Sequence, residues 1–377
     1  MTFELPPYPY DQLAALAELG EALDGGLVDC SIGTPCDPPL PAVVASLSTS
    51  GAERGYPASA GGPALRQAAA DWLSRRFDLK PVDPQTVAMC VGTKELVASV
   101  PHVLRLRQPE LDTVLYPAVS YPSYAMGASL AGCRAVAVPP LPGQLGGLDL
   151  SAIADDDAAR ALLLWSNSPS NPTGGLGDLE AEAAWGRAHG VPVFSDECYA
   201  EFTWDGPPGS ILQHGTEGVV AVHSLSKRSN LAGVRVGFFS GDPELVEFLR
   251  AVRQHAGLMV PGPAQAAGVV ALGDDAHVVA QRERFLERLT FMAETLGAFG
   301  CPVGLPAGGF YLWVPVPERY RDAWAMARDL AQWGGLLVSP GDLYGEGGAG
   351  FARVAVVQPM ERLEVVAARL GRGASGS

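Results

Sequence analysis

Short runs of consecutive apolar residues alternate with longer amphipathic segments over the middle of the chain. Thr86–Gly92 (TVAMCVG) predicts a buried strand, and KELVASVPHVL, which begins at Lys94, predicts the helix after it. Further apolar runs are rich in Val, Leu and Phe: TVLYP, RAVAVP, ALLLWSN, VPVFSDE, VVAVHSLS and VRVGFFSG. Because such strands are buried on both faces, their alternation with helices predicts a mostly parallel sheet flanked by helices.

Helical periodicity is clear in Pro63–Phe77 (PALRQAAADWLSRRF). Pro63 occupies a favourable first helical position. Leu65, Ala69, Trp72 and Leu73 recur on one side, which predicts an amphipathic helix with one buried face.

The pattern changes near Pro243, where long helical segments such as AHVVAQRERFLERLTFMAETLGAF begin. The apolar runs GGFYLWVPV, GGLLVSPG and FARVAVV follow, with helical segments between and after them. This order predicts a smaller α+β domain beside the α/β domain. We expect a large domain at 42–272 and a small domain formed by 1–41 and 273–377.

Composition and charge argue against several classes of partner and site. Of 377 residues, 47% are hydrophobic and 18% charged, which is typical of a globular protein, and the net charge is −15. Without basic blocks, we expect neither nucleic acid nor membrane as a partner. The N-terminus lacks a signal-peptide pattern, the six cysteines form no CxxC pair, and the histidines lack metal-site spacing. These features predict a cytoplasmic protein with reduced thiols and no metal site.

Lysine is rare, with three in the whole chain: Lys80, Lys94 and Lys227. Lys227 follows the predicted strand VVAVHSLS, and partial removal from water there would favour the neutral, nucleophilic amine. An ordinary surface lysine is the alternative. Ser224, Ser226 and Arg235 favour the reactive role, because their side chains can bind an anion nearby.

Polar residues also end two other predicted strands, where open α/β sheets bind ligands. Asp196 ends VPVFSDE and could hold a protonated heterocyclic nitrogen; a metal ligand or a solvated acid beside Glu197 is the alternative. Tyr199 could direct its phenol into the same site. Asn171, in the turn SNSPSNPTGG, could donate to a phenolate oxygen.

The segment CVGTKEL is compatible with a phosphate site, and an ordinary helix N-cap is the alternative, favoured when this stretch is taken alone. Gly92 allows close approach of a ligand, and Thr93 begins a helix whose free N–H groups attract anions. Tyr121 and Tyr124 (YPSY) could form a stacking platform or belong to the core. Together these positions require an aldehyde, a pyridinium, a phenolate and a phosphate, and pyridoxal 5′-phosphate has all four.

The segments SNPTG, SDECYAEF and HSLSKRSNLAGVRVGF, in this order and spacing, resemble the class I/II aminotransferases of the pyridoxal phosphate fold type I superfamily. The resemblance covers nearly the whole chain, including IGTPCDPPLP, YPASAGGPALRQA, GTKEL and FARVAVV. Within this family, HSLSKRSNLAG, WSNSPSNPTG, RQHAGLMVPGPAQAA and QRERF are similar to actinobacterial-type succinyldiaminopimelate aminotransferases. The implied fold has a mostly parallel seven-stranded sheet in its large domain.

The resemblance implies a role for each candidate residue. Lys227 would bind the cofactor covalently and carry the proton, and Asp196 would keep the pyridine nitrogen protonated. The other roles are bonds to the 3′ oxygen from Asn171 and Tyr199, stacking by Tyr121, and phosphate binding by Gly92, Thr93, Lys94, Ser224 and Arg235. Tyr56 would reach the phosphate of a partner subunit in a homodimer, and Arg353, with the Gly33 backbone, would bind the substrate carboxylate.

Some alternatives stay open. The family often has proline where Val119 stands, so Tyr124 competes with Tyr121 for stacking, and we prefer Tyr121. Arg253, His255 and Arg134 are unranked readers of the succinyl group and distal carboxylate. A β-elimination lyase, or an aminotransferase for aromatic or branched substrates, could use the same scaffold. A cofactor-binding regulatory domain is not expected, because the chain begins close to the catalytic fold.

Overall fold

The computed structural model describes residues 8–373, which group into two compact units. The large unit comprises 38–283 and 307–309, and the small unit comprises 8–37, 284–306 and 310–373. The sequence-based large domain, 42–272, stays a prediction of domain extent. None of the helices in residues 8–373 has the length and apolar character needed to cross a membrane.

The strands are β1 Val28–Asp29, β2 Val87–Cys90, β3 Thr113–Pro117, β4 Arg134–Val138, β5 Ala161–Asn167, β6 Val193–Asp196, β7 Val219–Ser224, β8 Gly237–Gly241, β9 Tyr311–Pro315, β10 Leu336–Leu337, β11 Ser339–Pro340 and β12 Phe351–Ala355. The helices are α1 Ala14–Glu21, α2 Pro41–Thr49, α3 Pro63–Arg76, α4 Thr93–Arg107, α5 Ser123–Leu130, α6 Asp155–Ala159, α7 Leu179–His189, α8 Leu225–Arg228, α9 Pro243–His255, α10 Gly262–Gly273, α11 Ala276–Ala298, α12 Ala323–Gly334 and α13 Met360–Gly373.

Within residues 8–373, the large unit contains a seven-stranded sheet of order β2-β8-β7-β6-β5-β3-β4. The strands from β7 to β4 are mutually parallel, whereas β8 runs antiparallel to β7 and β2. The predicted mostly parallel seven-stranded sheet is therefore confirmed. Asn167, Asp196 and Ser224, at the carboxyl ends of β5, β6 and β7, lie at one edge of the sheet. Gly237 begins β8 at this edge, opposite Ser224 and Cys90.

Two apolar layers cover the sheet, and its central strands are therefore buried on both faces. All seven residues of β5 are buried. On one face α3 buries Leu65, Ala69, Trp72 and Leu73, the residues predicted from its periodicity. On the other face α4 contributes a second apolar cluster that includes the β5 side chain Trp165. The two layers fix the strands, and so the positions of the polar residues at their ends.

The strand that precedes Lys227 is shorter than predicted. β7 ends at Ser224, and Leu225–Arg228 forms the short helix α8. The Ser224 hydroxyl causes this change, because it accepts a hydrogen bond from the Ser226 N–H at 3.1 Å and begins the helical turn. Lys227 therefore projects from a turn rather than from a strand end.

The small unit is α+β, as predicted. β12 lies between β11 and β9 in an antiparallel sheet, and β1 pairs with β10 in parallel. Helices α12 and α13 pack together beside these strands. Arg353 is the middle residue of β12 and pairs in register with Ser339 and Trp313.

Candidate active site

Asp196 is buried at the end of β6 and is held by two hydrogen bonds. The Tyr124 hydroxyl donates to its Oδ2 at 2.9 Å, and the Cys198 N–H donates to its Oδ1 at 3.2 Å. Burial raises the pKa of Asp196, while these bonds and the positive charge of Lys227 act in the opposite direction. Lys227 lies in the short helix directly after β7, the strand paired with β6, so the predicted acid and the predicted lysine lie at neighbouring strand ends.

The amide of Asn167 connects the SNPTG turn to β6. Its Nδ2 donates to the Asp196 carbonyl at 2.8 Å, and its Oδ1 accepts from the Asn171 N–H at 2.8 Å. Asn171 is buried in this turn. One side chain thus fixes the position of Asn171 relative to Asp196.

The residues after Asp196 lie against the start of α4 and form a hydrogen bond with it. The Cys198 thiol lies 3.4 Å from the Thr93 hydroxyl oxygen and donates to it. Tyr199 is buried and precedes a 3₁₀ turn at Ala200–Phe202. The predicted phenol-bearing segment and the predicted phosphate turn therefore lie side by side.

The turn before α4 has the geometry of an anion site. Gly92 has φ +75°, a left-handed conformation that favours glycine. A Cβ on Gly92 would overlap the guanidinium of Arg235, so the missing side chain leaves room for that cation. Arg235 also donates to the Ala232 carbonyl at 2.8 Å. The N-terminus of the 15-residue helix α4 and a guanidinium therefore lie together, a combination that suits a phosphate.

The two candidate stacking tyrosines have different surroundings. Tyr124 is fully buried, donates to Asp196 and stacks on Trp165 at a centroid distance of 5.2 Å. These contacts commit it to the core and leave Tyr121, which is half-buried, as the candidate for stacking. The Lys94 ammonium lies 5.9 Å from the centroid of the Tyr121 ring. The preference for Tyr121 remains a prediction, with Tyr124 now given a separate role.

The turn that carries Lys227 is anchored through the next residue. Arg228 is buried and donates to Glu201 Oε1 at 3.0 Å and to Asp275 Oδ1 at 2.6 Å. Glu201 also accepts from Trp72 Nε1 of α3 at 2.9 Å. This network holds α8 against α3 and fixes the backbone from which Lys227 projects.

A second pair of ionisable groups lies on the opposite face of the same two strands. Glu197 Oε2 is 3.3 Å from His223 Nε2, and both side chains are almost fully buried. Burial raises the pKa of Glu197 to about 8 and lowers the pKa of His223 to about 3. Both shifts favour the neutral forms, so burial disfavours a second carboxylate charge beside Asp196.

Gly33 and Arg353 belong to the small unit. Arg353 donates to the Ser31 carbonyl, and its guanidinium lies 4.5 Å from the Tyr311 ring centroid and 4.7 Å from that of Tyr344. A Cβ on Gly33 would overlap the Tyr311 ring. The arginine is thus buried and oriented, as a carboxylate-binding guanidinium must be.

Four other candidates differ in their surroundings. Tyr56 is 99% exposed. Arg253 forms a two-pronged ion pair with Glu95, so it is not suited to read the substrate. Arg134 pairs with Asp157 at the amino end of β4, and His255 is exposed at the end of α9. We therefore assign none of the last three residues to substrate recognition.

The donors assembled in the large unit fit pyridoxal phosphate. The phosphate matches the α4 N-terminus beside Arg235, the ring nitrogen matches the buried acid, and the aldehyde matches Lys227. A family model described as aminotransferase class I and II matches residues 26–370. The chain is a class I and II aminotransferase. This family depends on pyridoxal phosphate, which confirms the predicted cofactor.

The aminotransferase is similar to proteins with several named specificities. A probable aminotransferase of Mycobacterium tuberculosis is 43% identical over 98% of this chain and 85% of its own. A 4-dedimethylamino-4-oxo-anhydrotetracycline transaminase of Streptomyces rimosus is 40% identical (97% and 99% covered), and an LL-diaminopimelate aminotransferase of Aquifex aeolicus is 35% identical (97% and 96%). The solved structure of a probable N-succinyldiaminopimelate aminotransferase from Thermus thermophilus has TM-score 0.85 and 30% identity, covering 97% of this chain and 100% of that one.

Proposed function

We propose that this aminotransferase transfers an amino group from glutamate to N-succinyl-2-amino-6-oxopimelate, giving N-succinyl-LL-2,6-diaminopimelate for lysine biosynthesis in the cytoplasm. The observation that carries the proposed chemistry is the placement of Lys227, in the turn directly after β7, next to the buried Asp196 at the end of the neighbouring strand β6. The substrate is supported by the Thermus thermophilus structure and the Aquifex aeolicus relative, whose names refer to diaminopimelate or its succinyl derivative.

We assign cofactor binding to residues at this edge. Asp196 would hold the pyridine nitrogen protonated, Tyr121 would stack on the ring, and Asn171 and Tyr199 would bond to the 3′ oxygen. The proposed phosphate ligands are Gly92, Thr93, Lys94, Ser224 and Arg235. We also propose a homodimer, in which Tyr56 reaches the phosphate bound by its partner.

Bound pyridoxal phosphate supplies a cationic ring that accepts the electrons of a breaking C–H bond. Lys227 would hold the cofactor between reactions, give way to the amino group of the substrate, and then remove the proton from its Cα. Arg353 and the Gly33 backbone would bind the α-carboxylate and orient that C–H bond. Asp196 would contribute by staying anionic.

A different amino-acid specificity is the second candidate. It is favoured by the Streptomyces rimosus relative, which is 40% identical and is named for a tetracycline intermediate. An elimination lyase on the same scaffold would use the same lysine and acid. Product analysis separates these reactions, because elimination without an acceptor would release ammonia and an oxo acid.

The first test is the visible spectrum of the purified enzyme with its cofactor. We expect N-succinyl-LL-diaminopimelate, added without an acceptor, to remove the absorption of the lysine-bound cofactor, and 2-oxoglutarate to restore it. Bleaching by glutamate alone would retain the aminotransferase and reject this substrate. Lys227→Ala should abolish both the spectral change and turnover, and normal turnover of this variant would overturn the role of Lys227.

A further inference from the structure

An ion pair lies behind the proposed phosphate turn and is not used by the mechanism above. Arg253 of α9 donates through Nη1 to Glu95 Oε1 and through Nη2 to Glu95 Oε2, both at 2.7 Å. The Arg253 side chain is 2% exposed and that of Glu95 is 24% exposed. Such a parallel two-bond contact is among the strongest arrangements available to an arginine and a carboxylate.

Glu95 contacts the turn itself. Its Oε2 accepts a hydrogen bond from the Val91 N–H at 3.2 Å, immediately before Gly92, and its own N–H donates to the Gly92 carbonyl at 3.2 Å. The Ser99 hydroxyl donates to its Oε1 at 3.1 Å. The carboxylate thus fixes the backbone of the turn in the conformation that exposes the start of α4.

The same carboxylate creates an electrostatic problem for the turn. Glu95 is in the first turn of α4, where a negative charge satisfies the helix dipole and repels a second anion. A phosphate monoester carries nearly two negative charges at neutral pH.

We propose that Glu95 and Arg253 form a positioning pair for the phosphate turn, in which Glu95 fixes the Val91–Gly92 backbone and Arg253 cancels its charge. The turn can then accept a phosphate dianion although an acid lies in the first turn of its helix. This inference rests on the proposed assignment of the phosphate site. Neither residue is assigned a contact with the reacting atoms, and both act through the turn.

The test compares two ligands of the apo full-length chain. Dissociation constants for pyridoxal phosphate and for pyridoxal are measured by calorimetry at low salt. Both ligands offer the same aldehyde to Lys227, so the ratio of the two constants isolates the phosphate contribution. Arg253→Met should reduce this preference for the phosphorylated ligand about tenfold, because it leaves the Glu95 charge uncompensated.

Two further variants separate charge from structure. Glu95→Gln should leave the preference at or above the wild-type level, because Arg253 then adds an unopposed positive charge. The double variant Arg253→Met/Glu95→Gln should return the preference to within about twofold of wild type, as expected for two coupled groups. Arg160→Met is the matched control, since Arg160 makes a two-pronged pair with Asp112 at the opposite edge of the sheet.

Several results would overturn the proposal. If Arg253→Met and Glu95→Gln weaken both ligands equally, the pair is merely structural. If Arg253→Met does not fold, the other two variants decide, and a reduced preference in Glu95→Gln overturns the charge argument. A wild-type chain that binds both ligands equally well would instead refute the phosphate site, and with it the positioning pair.

Discussion

At the scale of single residues, Tyr124 is a neighbour of Asp196 that the mechanism does not otherwise use. Tyr124 is fully buried between Trp165 and Asp196, and its hydroxyl donates to the carboxylate. Burial favours the protonated acid, and this hydrogen bond favours the anion. Tyr124 therefore opposes the effect of burial on the pKa of Asp196, as Cys198 and Lys227 also do.

Replacing Tyr124 should change the pH dependence of the reaction. Tyr124→Phe removes a donor to the anion, so the pKa of Asp196 should rise. Because the charged acid is required, the acid limb of kcat/KM against pH should move upward by about one pH unit. Tyr116→Phe is the control, because Tyr116 belongs to β3, which lies two strands away from β6. An unchanged acid limb in Tyr124→Phe would show that Asp196 does not depend on this bond.

At the scale of elements, β6 and β7 present different chemistry on their two faces. Asp196 and Ser224 are directed to the face that carries the proposed cofactor site, and Glu197 and His223 are directed to the layer containing Trp72. The alternation follows from the pleat, in which consecutive side chains point to opposite faces. An acid whose pKa is raised to about 8 thus directly follows the acid that the proposed mechanism uses in its charged form.

The protonated acid should leave a signature in stability. Folded Glu197 keeps its proton up to about pH 8, whereas the unfolded chain loses it near pH 4.5, so stability falls as pH rises between these values. Buried His223 acts in the opposite direction, but only below its unfolded pKa of 6.5. Between pH 7 and pH 8, Glu197→Gln should therefore lose less unfolding free energy than wild type, by about 1 kcal/mol.

A matched variant at Glu182 separates the pH range in which Glu197 affects stability from the range below it. Glu182 is also buried, on α7, and burial raises its pKa to about 7. Glu182→Gln should flatten the stability profile below pH 7 and leave the region above it unchanged. Chemical denaturation at closely spaced pH values measures both variants. Parallel profiles for wild type and Glu197→Gln above pH 7 would mean that Glu197 is ionised in the folded protein.

At the scale of the whole molecule, the proposed homodimer gives the exposed Tyr56 a role in the active site of its partner. If Tyr56 serves its partner's phosphate, Lys227→Ala and Tyr56→Ala damage different chains of the same site. In a mixed dimer, one site then carries both changes and the other carries neither. Mixing the inactive Lys227→Ala variant with the weakly active Tyr56→Ala variant under conditions of subunit exchange should restore activity, measured as turnover per mixed dimer.

The controls for mixing are each variant incubated alone, and light scattering should give twice the 39.3 kDa chain mass. A mixture no more active than its components would place Tyr56 in its own chain's site or in none. A monomer by light scattering would reject the shared site altogether.

The sequence predicts the large-scale features well because they depend on local patterns. Apolar runs locate the strands, and polar residues at their ends, such as Asp196, then fall at one edge of the sheet. The prediction that Lys227 directly follows a strand is wrong, because the Ser224 hydroxyl begins a helical turn and β7 ends earlier than its apolar run suggests. That interaction is local, and the pattern of serines around the lysine could have indicated it.

Long-range pairings are the part that sequence patterns do not give. Arg253 was considered a substrate reader, yet it contacts Glu95, which is 158 residues away along the chain. The choice between Tyr121 and Tyr124 likewise depends on Trp165 in β5, whose packing buries one ring. Such contacts are decided by how the helices cover the sheet, and no periodicity within one segment encodes them.

The opposite orientations of Asp196 and Glu197 restrict how this chain can change in length. Removing one residue from Val193–Asp196 would exchange the two acids between the faces of the sheet. The Asp196 carboxyl group would then have to ionise in the layer that contains Trp72. The face that carries the proposed cofactor site would receive Glu197 instead. Insertions and deletions of a single residue within β6 should therefore not be tolerated.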